Sequence, residues 1–173
     1  MCGVPSDPHA SVAGHAKQAS RSDVPSGATV PPAALTVLVV DDDRVVGQLL
    51  ADGLAVMGHA VAIAQSASQA WHMLQDRDDI GVVVSDIRMP GGNGLDLAHD
   101  VATRLEDARA ASIVLITGHA TQADAAAAMR LGAAGFLRKP CRLAELAGAV
   151  EEGLEKARRR RNGAQQAAEP API

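Results

Sequence analysis

Aromatic side chains are almost absent: Trp71 and Phe136 are the complete set in 173 residues, and tyrosine does not occur. Modules that bind by stacking on aromatic platforms need more rings than this, so the core has to be assembled from Val, Leu, Ile, Met and Ala. Cysteine is equally scarce. Cys2 near the amino terminus and Cys141 after a proline make no disulfide framework and show no zinc spacing, which points to a reducing, cytoplasmic setting. No apolar run approaches the ~18 residues of a transmembrane helix. The amino terminus also lacks the apolar segment of a signal peptide, so no membrane partner is expected. Positive charge is not in excess either: the formal net charge is −4, without the global basic footprint of a nucleic-acid-binding domain.

What is present is a strict alternation of short apolar runs and amphipathic stretches. Residues 1–34 are rich in Pro, Ser, Gly and Ala without periodicity and read as a disordered extension; residues 161–173 read as a disordered tail. Between them, LTVLVV (Leu35–Val40), HAVAIA from His59, Ile80–Ser85, Ser112–Thr117 and Gly135–Lys139 read as five strands. Helical patterns follow each, the first with a stripe of Val46, Leu49, Leu50 and Met57 and the last with Leu143, Leu146, Val150 and Leu154. Five β-α units with right-handed crossovers imply a parallel sheet covered on both faces. The expected architecture is a flavodoxin-like, doubly wound α/β sandwich over residues 35–160 with strand order 2-1-3-4-5.

In such sheets, ligands bind outside the carboxyl ends of the strands, and that edge is where the polar residues fall. Asp41, Asp42 and Asp43 end the first strand, Asp86 the third, Thr117 the fourth and Lys139 the fifth. Acids gathered in one crevice repel, by about 4 kcal/mol per unit-charge pair at ~4 Å and an effective dielectric near 20. A cation is therefore needed, and an all-oxygen ligand set suits Mg²⁺. A carboxylate can attack a phosphoryl group to give an aspartyl phosphate, and a lysine and a metal neutralise charge on the phosphoryl oxygens.

Four stretches, VLVVDDD, VVVSDIRMPGGNGLDL, VLITGHA and GFLRKP, occur in the order of the signatures of the response-regulator receiver domain of two-component signalling. The chain resembles that family over roughly Leu35 to Arg160, and its motifs look most like the receivers of nitrogen-regulation and nitrogen-fixation regulators. The resemblance implies that Asp86 is the phosphoacceptor and that Asp41 and Asp42 hold Mg²⁺ together with Asp86 and the backbone carbonyl of Arg88. It also implies that Thr117 and Phe136 form a switch, that Lys139 contacts the phosphoryl group, and that the Lys139-Pro140 peptide is cis. The implied partners are a histidine kinase or histidine phosphotransfer protein, an unknown downstream protein, and a second copy through the face of the fourth helix, fifth strand and fifth helix. The chain departs from the family at Gly135, Cys141 and Ala120.

Blander readings exist for each residue. A strand-end aspartate is commonly a turn former or helix cap, and Asp43 is read as the cap of the first helix. Thr117 could be an ordinary β-branched strand residue and Phe136 ordinary core. The arginines at 158–161 read as a solvated helix end rather than a nucleic-acid contact. After Lys139 only one helix and a polar stretch follow, so the expectation is a single-domain regulator without a DNA-binding domain, itself not an enzyme but a phosphoacceptor assisting its own phosphorylation and dephosphorylation. Three rival readings are available. A haloacid-dehalogenase-type phosphatase would use Asp41 as nucleophile but needs a further acid pair after the lysine. An FMN binder needs a hydroxyl- and glycine-rich loop where the acidic triplet stands. A receiver-like interaction module that takes no phosphoryl group needs none of these residues.

Overall fold

The computed structural model describes residues 34–168. The expected disordered extension, Ala34 apart, and residues 169–173 of the expected tail lie outside the described residues. The main elements alternate: β1 (Thr36–Val40), α1 (Arg44–Val56), β2 (Ala60–Ala64), α2 (Ala67–Asp76), β3 (Ile80–Asp86), α3 (Gly94–Arg104), β4 (Ser112–Thr117), α4 (Gln122–Arg130), β5 (Gly135–Arg138) and α5 (Leu143–Ala168). A 3₁₀ turn at Asp107–Arg109 precedes β4, and two-residue strands at Arg88–Met89 and Gly92–Asn93 close a hairpin between β3 and α3. All five main strands are parallel in the order β2-β1-β3-β4-β5, the doubly wound arrangement that the alternation predicts.

Burial on both faces explains why the central strands show no polar alternation. Every residue of β1 is buried, as are six of the seven in β3 and all six in β4. Successive side chains then divide between two layers. Leu38, Val40, Val83 and Leu115 pack under α2, α3 and α4, with Ala70, Leu74, Leu97, Ala98, Val101 and Ala128. Val37, Val39, Val82, Val84, Val114 and Ile116 pack on the other side against Ala51 and Leu54 of α1 and Leu146, Val150 and Leu154 of α5.

Helix α1 corrects the expected stripe. Its buried residues are Gly47, Ala51 and Leu54, whereas Leu49 is 70% exposed and Met57 48%. The face against the sheet combines two small residues with Leu54, and a Cβ on Gly47 would lie in ordinary contact with the Asp41 side chain at 3.5 Å. Of the expected stripe, Val46 and Leu50 are half-buried, with Leu50 packed against the core, while Leu49 and Met57 face outward.

The carboxyl-terminal boundary also moves. Helix α5 continues to Ala168, overlapping residues 161–168 of the expected disordered tail. The arginine run supplies the reason, and it is not simply a solvated end. Arg160 pairs with Asp107 at 2.7 Å, and the Arg161 guanidinium donates to the carbonyls of Asp78 (2.6 Å), Ile80 (2.6 Å) and Ala110 (2.8 Å). Burial lowers the Arg161 pKa, yet it sits among carbonyl oxygens that need donors. After Asn162 and Gly163, the Ala and Gln residues to Ala168 are good helix formers. Replacing Arg161 with methionine leaves those carbonyls short of a donor and is expected to cost about 1–3 kcal/mol, read by urea unfolding, with faster amide exchange from Arg158 onward. Unchanged stability and exchange would show that the helix end holds itself.

Candidate functional site

The carboxyl ends of β1, β3, β4 and β5 bring the expected residues to one edge. Asp41 follows β1, Asp86 ends β3, Thr117 ends β4 and Lys139 follows β5. The chain leaves β3 at Asp86 through a tight loop whose geometry dictates glycine. Gly91 has φ +75°, in the left-handed region, and a Cβ on Gly94 would collide with the Asp86 carbonyl. The Gly94 amide donates to the Ile87 carbonyl at 3.0 Å, and the Asn93 side chain caps α3 by accepting from the Leu95 amide. The proline- and glycine-rich stretch after the valines is thus what turns the strand sharply beneath its terminal acid.

Lys139 joins the site across the greatest separations in sequence. Its Nζ donates to Asp41 Oδ2 at 2.6 Å and to Asp86 Oδ2 at 2.8 Å. The remaining oxygens of those acids are held by backbone amides: Asp41 Oδ1 accepts from Asp43 at 3.0 Å, and Asp86 Oδ1 from Arg88 at 3.2 Å. Asp41 is buried, Asp86 partly exposed and Asp42 exposed. Burial works to lower the Lys139 pKa, but hydrogen bonds to the two carboxylates and their charges outweigh it and the pKa is raised. The lysine is a fixed cation here.

Asp41, Asp42 and Asp86 each bring a carboxylate oxygen within 4.8 Å of the others. One ammonium against three carboxylates leaves the cluster net negative, and its donors are all hard oxygens. This set fits a divalent cation of the Mg²⁺ type, which takes oxygen ligands and retains waters. Asp43 plays no part in the cluster; it caps α1, accepting from the amides of Val45 and Val46 at 2.9 and 3.2 Å.

Thr117 is fully buried, and its hydroxyl oxygen accepts from the His119 amide at 3.2 Å. Its carbonyl accepts from the Lys139 amide at 2.8 Å, tying the β4 exit to the β5 exit. The Lys139-Pro140 bond is cis. Phe136 pairs in register with Leu115 and is half-buried against the α2–α4 side of the core. Cys141 lies in the other apolar layer, on the α1 and α5 side, and burial pushes its thiol pKa up, the opposite of what a reactive thiolate needs.

Sequence reasoning missed one residue. Asp124, buried in α4, accepts from the Arg88 guanidinium at 3.0 Å. It also closes a capping box with Thr121: the Asp124 amide donates to Thr121 Oγ1 and the Thr121 amide to Asp124 Oδ2, both at 3.1 Å. These bonds, those from Thr121 foremost, hold its pKa below the usual carboxylate value. The Thr-x-x-Asp spacing was a signal for the cap; nothing in the sequence pointed to the link with Arg88.

Comparison with known proteins agrees with this geometry. Residues 37–151 match the family model of the response regulator receiver domain. Over 121 residues the chain is 36% identical to the DNA-binding transcriptional regulator NtrC of Azospirillum brasilense, covering 70% of this chain and 24% of that protein. Over 125 residues it is 39% identical to the transcriptional regulatory protein FixJ of Azorhizobium caulinodans, covering 71% of this chain and 56% of that one. The chain therefore spans 24% and 56% of the length of these two relatives. A solved receiver domain protein from Clostridium thermocellum superposes with a TM-score of 0.66 at 26% identity, covering 72% of this chain and 97% of that chain. The acid cluster and its lysine thus stand in a fold, and beside motifs, that a whole family shares: the chain belongs to the response-regulator receiver domains of two-component signalling.

Proposed function

We propose that the chain accepts a phosphoryl group on Asp86 from a histidine kinase or histidine phosphotransfer protein and thereby changes its affinity for a downstream protein. One observation carries this reading: Lys139 bridges Asp41 and Asp86 at 2.6 and 2.8 Å from a strand end far away in sequence. In the reaction, an Asp86 carboxylate oxygen forms the new O–P bond. The N–P bond of a phosphohistidine breaks, and its electron pair leaves with the imidazole. Lys139 is placed to shift from the Asp86 oxygen it now contacts to a phosphoryl oxygen. Asp41, Asp42, Asp86 and the Arg88 carbonyl would hold Mg²⁺, which when bound neutralises charge on the phosphoryl oxygens.

The added group carries about −1.5 to −2 charge. Thr117, at the end of β4, then has an acceptor for its hydroxyl, and the β4–α4 loop follows. Phe136 repacks with it, and the face of α4, β5 and α5 presents the change to a downstream protein or a second copy. A coupling of about 1–3 kcal/mol, typical of such switches, changes partner affinity roughly 5- to 150-fold.

The donor has a natural seat beside the acid cluster. Val45, Leu49 and Val56 of α1 are 77%, 70% and 87% exposed. Leu49 and Val56 line an apolar groove of about 390 Å³ between α1 and the start of α5, together with Leu50, Gly53, Cys141 and Leu143. Val45 lies two residues after Asp43 at the start of α1, so a protein whose phosphohistidine reaches Asp86 meets this face. Leu49→Asp is expected to slow transfer from the protein donor about 10-fold or more, while labelling by acetyl phosphate is unchanged. Equal slowing with both donors would place Leu49 outside the docking surface.

The reading is tested by labelling with a small phosphodonor. Stoichiometric, Mg²⁺-dependent incorporation is expected. No incorporation, under conditions that label an ordinary receiver, favours the interaction module that takes no phosphoryl group.

A further inference from the structure

The Arg88–Asp124 bond joins the loop after β3 to the first turn of α4. Arg88 lies two residues beyond the candidate phosphoacceptor, and its amide is bonded to Asp86 Oδ1. Asp124 lies in the first turn of α4, where its carboxylate completes the capping box with Thr121. The guanidinium spans the gap with one bond, Nη2 to Asp124 Oδ2 at 3.0 Å. The oxygen it uses is the one that also accepts from the Thr121 amide. A loop anchored to Asp86 therefore grips the amino terminus of the helix that follows Thr117.

We propose that this ion pair is a latch: it holds the start of α4 against the phosphoacceptor loop, and a phosphoryl group on Asp86 opens it by taking the guanidinium away. The opening step rests on Asp86 being the phosphoacceptor; the latch itself does not.

The competition is unequal for three reasons. The guanidinium makes one bond to Asp124, on an oxygen already shared with the Thr121 amide, whereas a phosphoryl group offers several oxygens and can take a guanidinium in the two-point geometry that arginine favours. The phosphoryl group carries up to twice the charge of a carboxylate. The Arg88 side chain is 56% exposed, so its pairing with Asp124 is weak and the arm is free to swing. Because its amide already touches the Asp86 carboxylate, the guanidinium can reach a group attached there without moving the backbone. Loss of the bond leaves the Thr121 cap in place, so α4 is released at its first turn rather than unfolded.

The latch is distinguishable from a simple contribution to helix capping. Amide exchange of Thr121–Arg130 is compared in the unphosphorylated protein, Arg88→Met, Asp124→Asn and the double variant. Asparagine keeps a side-chain oxygen for the Thr121 amide, and Arg88→Met leaves the main-chain carbonyl untouched. Each single variant is expected to raise exchange in the first turns of α4 about fivefold, the factor for about 1 kcal/mol, and the double variant no further. Unchanged exchange in either single variant, or multiplication of the two effects in the double variant, would overturn the latch.

Beryllofluoride with Mg²⁺ is then added. The parent protein is expected to rise to the exchange level of Arg88→Met, and Arg88→Met to stay where it was. A parent whose α4 exchange is unmoved, although ¹⁹F resonance shows the adduct on Asp86, would overturn the opening step. Failure of the adduct to form at all would overturn the phosphoacceptor reading and the opening step together, while the unphosphorylated variants still decide the latch.

Discussion

Replacement of Asp86 by asparagine is expected to abolish phosphoryl incorporation without loss of the fold. Asparagine retains an oxygen for the Arg88 amide that now donates to Asp86 Oδ1, so the loop keeps its anchor. It lacks the anionic oxygen that attacks phosphorus, and a neutral amide does not form a stable acyl phosphate. Stability is expected to be equal or higher. Three carboxylates within 4.8 Å repel one another, and Lys139 keeps Asp41 as a partner at 2.6 Å. Radiolabel counting and a thermal melt check both halves. Stoichiometric label on the variant would refute the assignment, and a lower melting temperature would show that Asp86 serves the fold more than the reaction.

The second large effect is expected at Lys139. Lys139→Met keeps much of the side-chain volume and removes the ammonium that both Asp41 and Asp86 contact. Losing one preorganised electrostatic contact to the transferring group typically costs about 10²- to 10³-fold in rate. Phosphorylation by acetyl phosphate should fall in that range. Without Mg²⁺ the variant should also be less stable by about 2 kcal/mol, since Asp41 is 2% exposed and its charge would be stranded. The figure is below the usual cost for a fully buried pair because the lysine side chain is 24% exposed. Mg²⁺ should restore more stability to the variant than it adds to the parent, because the ion then supplies the missing positive charge and binds only the folded state. A variant that labels at the parental rate would remove Lys139 from the chemistry. One that is less stable but no more responsive to Mg²⁺ would separate the lysine from the metal site.

The parts of this site legible in the sequence were those set by backbone punctuation. An acid that ends an apolar run and precedes a proline- and glycine-rich turn has one place to sit in a parallel sheet. The same logic located Thr117 and Lys139, and the strand order that brings them together follows from five consecutive β-α units. Side-chain packing was less legible. Two of the three buried residues of α1, Gly47 and Ala51, weigh little in a hydropathy pattern, while Leu49 and Val56 inflate the opposite face. Arg161 looks in sequence like any charged helix end; only the fold shows that the carbonyls of Asp78, Ile80 and Ala110 converge on it. Asp124 escaped notice because its partner, Arg88, lies 36 residues away, and nothing local marks a contact of that range.

The most direct test is to find which aspartate carries the phosphoryl group. After treatment with acetyl phosphate and Mg²⁺, borohydride reduction converts an aspartyl phosphate to homoserine, and peptide mapping by mass spectrometry locates it. Homoserine at position 86 alone, absent when Mg²⁺ is withheld, is the result this account requires. Homoserine at position 41 would instead assign the nucleophile to the first strand, as in an aspartate phosphatase, and homoserine nowhere would leave the acid cluster without the chemistry given to it.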